Sequence, residues 1–199
     1  MSTILALDIS SVSTGYAVFK KGKLSERGII NTSKIKKHGE RLVKFEIELS
    51  ALIKKYKPDI IAAEDIYKGR NPKTHKILAL YHGVAYRLCF VYTNDDPIIL
   101  YAGEIRSIVS EAYSVILKKK GVKDKELTFD FIKEKYSFDE FEFNKHNDIT
   151  DAIAIGLAVS ELESGRANES LCDFRGCARS RRKRDKKSVS KASSRTSPR

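Results

Sequence analysis

The apolar positions change period several times along this chain, and the changes mark out its elements. "TILALDIS", from Thr3, is an almost unbroken apolar run of the kind that forms a strand buried on both faces. "TGYAVFKKG" and "LSERGIINTS" follow as two more strands, separated by short Gly- or Ser-containing turns, so three antiparallel strands come first. In "GERLVKFEIELSALIKKY" the apolar residues Leu42, Phe45, Leu49, Leu52 and Ile53 recur at helical spacing, and Pro58 marks the end. "DIIAAEDIY" is a fourth strand. Asn71 followed by Pro72 is a strong helix start, because Pro is preorganised for the first helical position. That helix continues through "KTHKILALYHGVAYRLCFVY", and "PIILYA" is the fifth strand. Helical patterns then cover Glu104 to Lys118 and Asp124 to Tyr136, and a last helix opens near Asn147. A run of strands followed by alternating helices and strands predicts an α/β domain, a five-stranded mixed sheet flanked by helices.

Composition adds a boundary. The 199 residues carry a formal charge of +12. From Arg166 onward there are 12 Lys/Arg against 3 Asp/Glu, which leaves 26 against 23 for residues 1–165. The basicity belongs to the tail, "CARSRRKRDKKSVSKASSRTSPR", which has almost no large apolar residue and cannot bury enough surface to offset its ordering entropy. We expect one folded unit over 1–165 and a disordered basic segment over 166–199 that contacts phosphates non-specifically. No apolar run approaches the roughly 18 residues of a membrane span, and "MSTILALDIS" lacks the pattern of a secretory leader. The three cysteines, Cys89, Cys172 and Cys177, form an odd set, read as free thiols in a reducing compartment. A cytoplasmic protein is expected.

Four acids stand in apolar settings. Asp8 ends the first strand after "ILAL", and Glu64 ends the fourth after "IIAA". In "HNDITDAIAIGLAV", Asn147 reads as an N-cap, which puts Asp148 at the first helical position and Asp151 one turn further along the same face. Negative charge at a helix start complements the macrodipole, but Ile149, Ala152, Ile153 and Ile155 around Asp151 imply a largely buried helix. An ionised carboxylate there is costly unless a cation meets it. Four such acids in one small domain are explained economically by convergence on hard divalent cations, which take oxygen ligands. Asp65 competes with Glu64, since adjacent strand residues point to opposite faces and only one can join Asp8.

The order of these motifs resembles the RuvC family of Holliday junction resolvases, with an RNase H-like fold. "ILALDISSVSTGYAVF" is similar to the family's first hairpin, with Asp8 as first acid and Thr14 and Gly15 matching its Thr-Gly pair. "IIAAEDIYKGRNPKTHKILALYHGV" resembles the segment carrying the second acid, which selects Glu64. "NDITDAIAIGLA" resembles the final helix with its Asp-x-x-Asp-Ala pattern. One departure is that the family often has Pro-Gly after its first acid, where this chain has Ile9 and Ser10. A virus-encoded resolvase would suit the divergence and the tail.

The resemblance implies a homodimer that nicks two opposing strands of a four-way DNA junction symmetrically, using Mg²⁺ with Mn²⁺ able to substitute. Two ions about 3.5 to 4 Å apart would share Asp8, Glu64, Asp148 and Asp151 as ligands. "AGEIRSIVS" aligns with a segment that carries a lysine near the family's active site, making Arg106 its substitute. "GVKDKELTFDFI" resembles a segment with a second, catalytic lysine, here Lys125, for which a solvated surface role is the alternative. Tyr67 matches an aromatic that could stack on an unpaired base. Independently of the resemblance, Lys68, Arg70, Lys73 and Lys76 form a basic loop suited to backbone phosphates. His38, His75, His82 and His146 are given no role. Leu80, Tyr81, Val84 and Leu88 are read either as a dimer contact or as core. Two rivals remain: an actin- or hexokinase-type ATP-binding domain, and a branched-DNA-binding protein that has lost catalysis.

Overall fold

The computed structural model describes residues 2–66, 71–118 and 123–165. The expectations for Tyr67, Lys68, Arg70, the tail and its two cysteines lie outside the described residues. The chain divides into two units, Met1–Glu161 and Leu162–Arg199, and the fold belongs to the first. Among the described residues no helix is long and apolar enough to cross a membrane.

Among the described residues five strands and five helices follow in the order the apolar periods indicate: β1 (Thr3–Asp8), β2 (Ser13–Lys20), β3 (Lys23–Asn31), α1 (His38–Tyr56), β4 (Ile60–Glu64), α2 (Pro72–Thr93), β5 (Ile98–Leu100), α3 (Ala102–Tyr113), α4 (Asp124–Tyr136) and α5 (143–165). The sheet runs β3-β2-β1-β4-β5. β1, β2 and β3 pair antiparallel, whereas β4 pairs parallel with both β1 and β5. β1 is central and therefore apolar on both faces. Its Ile4 and Ala6 join a cluster with residues of α3, α4 and α5, while Leu5 and Leu7 join one with residues of α1 and α2. The result is a sheet between two helical layers.

α1 ends at Lys57, in the left-handed region, whose N–H bonds to the Ile53 carbonyl, with Pro58 next in sequence. α2 begins as the Asn-Pro pair predicts: Asn71 accepts a hydrogen bond from the Lys73 N–H at 3.0 Å, and Pro72 occupies the first turn. Two boundaries differ from expectation. α3 runs over Ala102–Tyr113 instead of Glu104 to Lys118, because Ser114 turns left-handed and the Val115 N–H bonds back to the Ser110 carbonyl at 3.1 Å. The apolar residues that extended the pattern serve a loop, where Leu117 is buried and Ile116 is exposed.

The second correction concerns α5, which opens at 143, so Asn147 lies inside the helix and is not its N-cap. His146 packs against this start. Its ring stacks on Phe141 at 4.5 Å between centroids, and its Nδ1 accepts the Glu142 N–H at 3.0 Å. The extra turn puts Asp148 and Asp151 deeper in the helix, away from the terminal N–H groups whose partial charge the sequence pattern credited.

Candidate active site

β1 and β4 are parallel neighbours, with Leu7 opposite Ala63. Asp8 and Glu64, one residue further on each strand, therefore emerge side by side at the same end of the sheet. Strand alternation puts both on the face covered by α5, since Ala6 and Ala62 belong to that face's cluster. The same alternation separates Asp65 from them. Its Oδ1 accepts the N–H of Ile66 at 2.7 Å, and its charge is felt by His82 of α2, on the opposite layer.

α5 carries Asp148 and Asp151 to that end, and it can do so only because of Gly15. Gly15 is the cross-strand partner of Asp8 in the β1–β2 ladder. A Cβ at Gly15 would stand 1.9 Å from the Asp148 carbonyl oxygen, so the helix backbone rests directly on the strand. Two turns further along α5, Gly156 gives Phe19 the same clearance, a Cβ there falling 2.2 Å from the ring. The Thr-Gly pair noted in the sequence thus has a packing reason.

The electrostatics tie the acids together. The Asp8 carboxyl is pushed well above its ordinary range, first by burial, then by the charge of Asp151, with Lys125 opposing and Glu64 and Asp148 adding to the rise. Burial and then Asp151 also raise Glu64, against Lys125 and Arg106. Asp151, 8% exposed, is raised by burial and drawn back by Lys125. Lys125 Nζ donates to Asp151 Oδ2 at 2.6 Å. Burial works against the charge of Lys125, yet Asp151, Asp8 and Glu64 hold its pKa above the usual lysine value.

Arg106 of α3 also reaches the cluster, as its pull on Glu64 and Asp151 shows. Its Nε lies 3.5 Å from Asp124 Oδ2, at the first residue of α4. Lys73 and Lys76 stand exposed in the first turns of α2. Of the apolar residues weighed for α2, Tyr81 at 1% exposure and Leu88 are core, whereas Leu80 is 58% exposed. The Tyr81 hydroxyl donates to the Ser11 carbonyl at 3.3 Å, bracing the turn that follows Asp8. Sequence reading missed this brace and the part played by Asp124, neither of which has a local signal.

Among the described residues, no group of three or more His, Cys, Asp or Glu side chains is arranged to hold a metal ion. The four acids are electrostatic neighbours, with Asp151 engaged by an ammonium. Their chemistry nevertheless fits a hard cation. All four donors are carboxylate oxygens, and the two basic groups that reach them, Lys125 and Arg106, leave negative charge uncompensated.

Comparison with known proteins places the chain in a family. Residues 4–159 match the family model described as crossover junction endodeoxyribonuclease RuvC. The crossover junction endodeoxyribonuclease RuvC of Fusobacterium nucleatum is 28% identical over 178 residues, covering 83% of this chain and 86% of that protein. The RuvC of Chlorobium phaeovibrioides is also 28% identical, covering 87% and 88%. The structure of T. thermophilus RuvC in complex with Holliday junction substrate superposes with a TM-score of 0.65 at 14% identity, covering 82% of this chain and 96% of that one. That likeness bears out the RNase H-like fold expected from the motifs. A match spanning both strand-end acids and the acid-bearing helix makes this chain a member of the RuvC family of crossover junction endodeoxyribonucleases.

Proposed function

We propose that this protein resolves four-way DNA junctions by symmetric, metal-dependent nicking, as a homodimer acting on DNA in the cytoplasm. The observation that carries the reading is the meeting, at one end of the sheet, of two strand-end acids and the acid-bearing face of α5. Neither rival explains it: an ATP-binding domain needs a second Gly-rich phosphate loop and a second domain, and a pure binder has no use for four mutually repelling carboxylates.

Asp8, Glu64, Asp148 and Asp151 are the residues that would hold Mg²⁺, with Mn²⁺ able to substitute and two ions per site. Bound there, such ions supply Lewis-acid polarisation of the scissile phosphate and neutralise the leaving oxygen. The chain's own groups do the rest. Lys125, half exposed beside Asp151, offsets negative charge that grows on the phosphate. Arg106 holds a non-bridging oxygen. Lys73 and Lys76, with Lys68 and Arg70 earlier in the sequence, neutralise backbone phosphates, and Tyr67 stacks on an exposed base. The homodimer contact is assigned to the outward stripe of α2, where Leu80, Tyr86, Phe90 and Val91 are exposed.

The test is incubation with a mobile junction and with a matched linear duplex, in Mg²⁺ and in chelator, with products resolved on a denaturing gel. Paired, ligatable nicks are expected on the junction alone and only with metal. Asp8→Asn should bind the junction and leave it intact. Degradation of both substrates alike would overturn junction selectivity.

A further inference from the structure

We infer that Asp124 is a positioning residue for the Arg106 guanidinium, a role that rests on the nuclease reading above. The first turn of α4 makes two ion pairs in different directions. Asp124 reaches α3, its Oδ2 lying 3.5 Å from Arg106 Nε, and the next residue, Lys125, reaches α5, its Nζ lying 2.6 Å from Asp151 Oδ2. Of two consecutive residues, one is thus a cation beside the acid cluster and the other pairs with the second such cation.

A bland account is available for an acid at this position, since Asp or Glu in a first turn complements the helix dipole. Glu126 fits that account: it lies in the same turn and pairs with the exposed Lys123 at 3.3 Å. Asp124 does not. It is turned inward against a guanidinium, and the two side chains are 31% and 23% exposed.

The pairing is incomplete in an informative way. Arg106 Nε is the one buried side-chain nitrogen or oxygen among the described residues that lacks a hydrogen-bond partner. At 3.5 Å, Asp124 neutralises the guanidinium and fixes its direction without satisfying the Nε donor. A buried donor left short costs free energy. The Nε edge of Arg106, buried against Asp124, stays closed to substrate, and a phosphate oxygen would be met by the guanidinium's other N–H donors, whose fork matches phosphate geometry. Asp124 therefore holds Arg106 aimed at the place where the scissile phosphate lies, close enough to Glu64 and Asp151 for its charge to act on both.

The experiment combines Asp124→Asn, Arg106→Gln and the double variant. Asp124→Asn is expected to lower kcat on a four-way junction about tenfold with KM within about twofold, below the ~100-fold that misplacing a reacting group by 1 Å can cost. In the Arg106→Gln background the same change should have almost no effect, because the residue it positions is gone. Asp124→Glu should restore part of the rate. The second readout needs neither DNA nor metal: the Nε–H resonance of Arg106, assigned by its loss in Arg106→Gln, should shift or broaden in Asp124→Asn while backbone resonances away from α4 stay put. Multiplicative losses in the double variant overturn the inference, as does an unmoved Nε–H resonance. Absence of junction cleavage by the parent protein would instead overturn the nuclease reading, and the resonance would still decide whether Asp124 orients Arg106.

Discussion

Gly15 and Asp148 are in backbone contact: no side-chain carbon fits between them, since a Cβ on Gly15 would lie 1.9 Å from the Asp148 carbonyl. The acid-bearing helix is held at the height of Asp8 by this contact. Gly15→Ala should therefore push α5 outward and separate Asp148 and Asp151 from Asp8. A cost of roughly 1–3 kcal/mol in chemical denaturation is expected from overpacking. Cleavage should fall by more than the lost folded fraction explains, with junction binding in chelator much less affected. A Gly15→Ala protein that cuts at the parent rate would show that the close approach has no catalytic purpose.

The raised carboxyls of Asp8, Glu64 and Asp151 set a pH dependence for the metal-free protein. Each binds its proton more tightly folded than unfolded. Its contribution to stability is complete below the ordinary carboxylate range, near pH 4, and is lost as pH rises through the raised folded value. Asp8→Asn removes the most strongly raised of these groups. In chelator at pH 7.5 the variant should melt above the parent protein, and the gap should narrow on acidification to pH 5. Equal melting temperatures at both values would contradict the charge frustration inferred for the site.

Lys125 is the counter-charge for Asp151 in the absence of metal. Lys125→Met leaves Asp151, which is buried, without a partner. Because the ammonium is half exposed and partly screened, the expected loss is at the low end, about 1–2 kcal/mol in chelator. Adding Mg²⁺ should reduce that deficit, since a divalent ion also neutralises Asp151, while cleavage remains impaired. A deficit that metal leaves unchanged would argue that Lys125 acts through packing and not through charge.

Arg27 of β3 anchors the approach to α5. Its guanidinium lies 3.7 Å from the centre of the Phe138 ring, and Phe138 packs on Phe141, which stacks on His146. Its ion pair with exposed Glu140, at 3.6 Å, adds little. Arg27→Ala should cost about 1 kcal/mol through the lost cation–π contact, measured by urea unfolding, and Glu140→Gln almost nothing. Equal losses in the two variants would assign the effect to the ion pair.

The exposed stripe of α2 gives a test of assembly. Leu80→Lys combined with Phe90→Glu changes two exposed positions and leaves the core residues Tyr81, Ala85 and Leu88 untouched. The variant should sediment as a folded monomer and lose the paired timing of the two nicks. A dimer that survives these charges would move the contact to another face.

How much of this was legible beforehand varied by element. β1 was readable because a central strand buried on both faces leaves a continuous apolar run, and α2 because Asn71 and Pro72 are local chemistry. α5 misled at its start. The Asn147-Asp148 pair imitates a cap, whereas at the true start His146 packs on Phe141 and accepts the Glu142 N–H. α3 misled at its end, because periodicity does not register a single residue turning left-handed. On α2, apolar character alone did not tell Leu80 from Tyr81, one residue apart and on different faces.

By itself the sequence determined which acids were anomalous, which strand ends and helix carried them, and the family whose motifs they match. These follow from periodicity and side-chain chemistry, which act over a few residues. Tertiary structure decided which groups meet: Gly15 with Asp148, Lys125 with Asp151, Arg106 with Asp124. Such contacts join positions distant along the chain, and their geometry is set by how the α5 backbone settles on the sheet and where α4 begins, which no local pattern encodes.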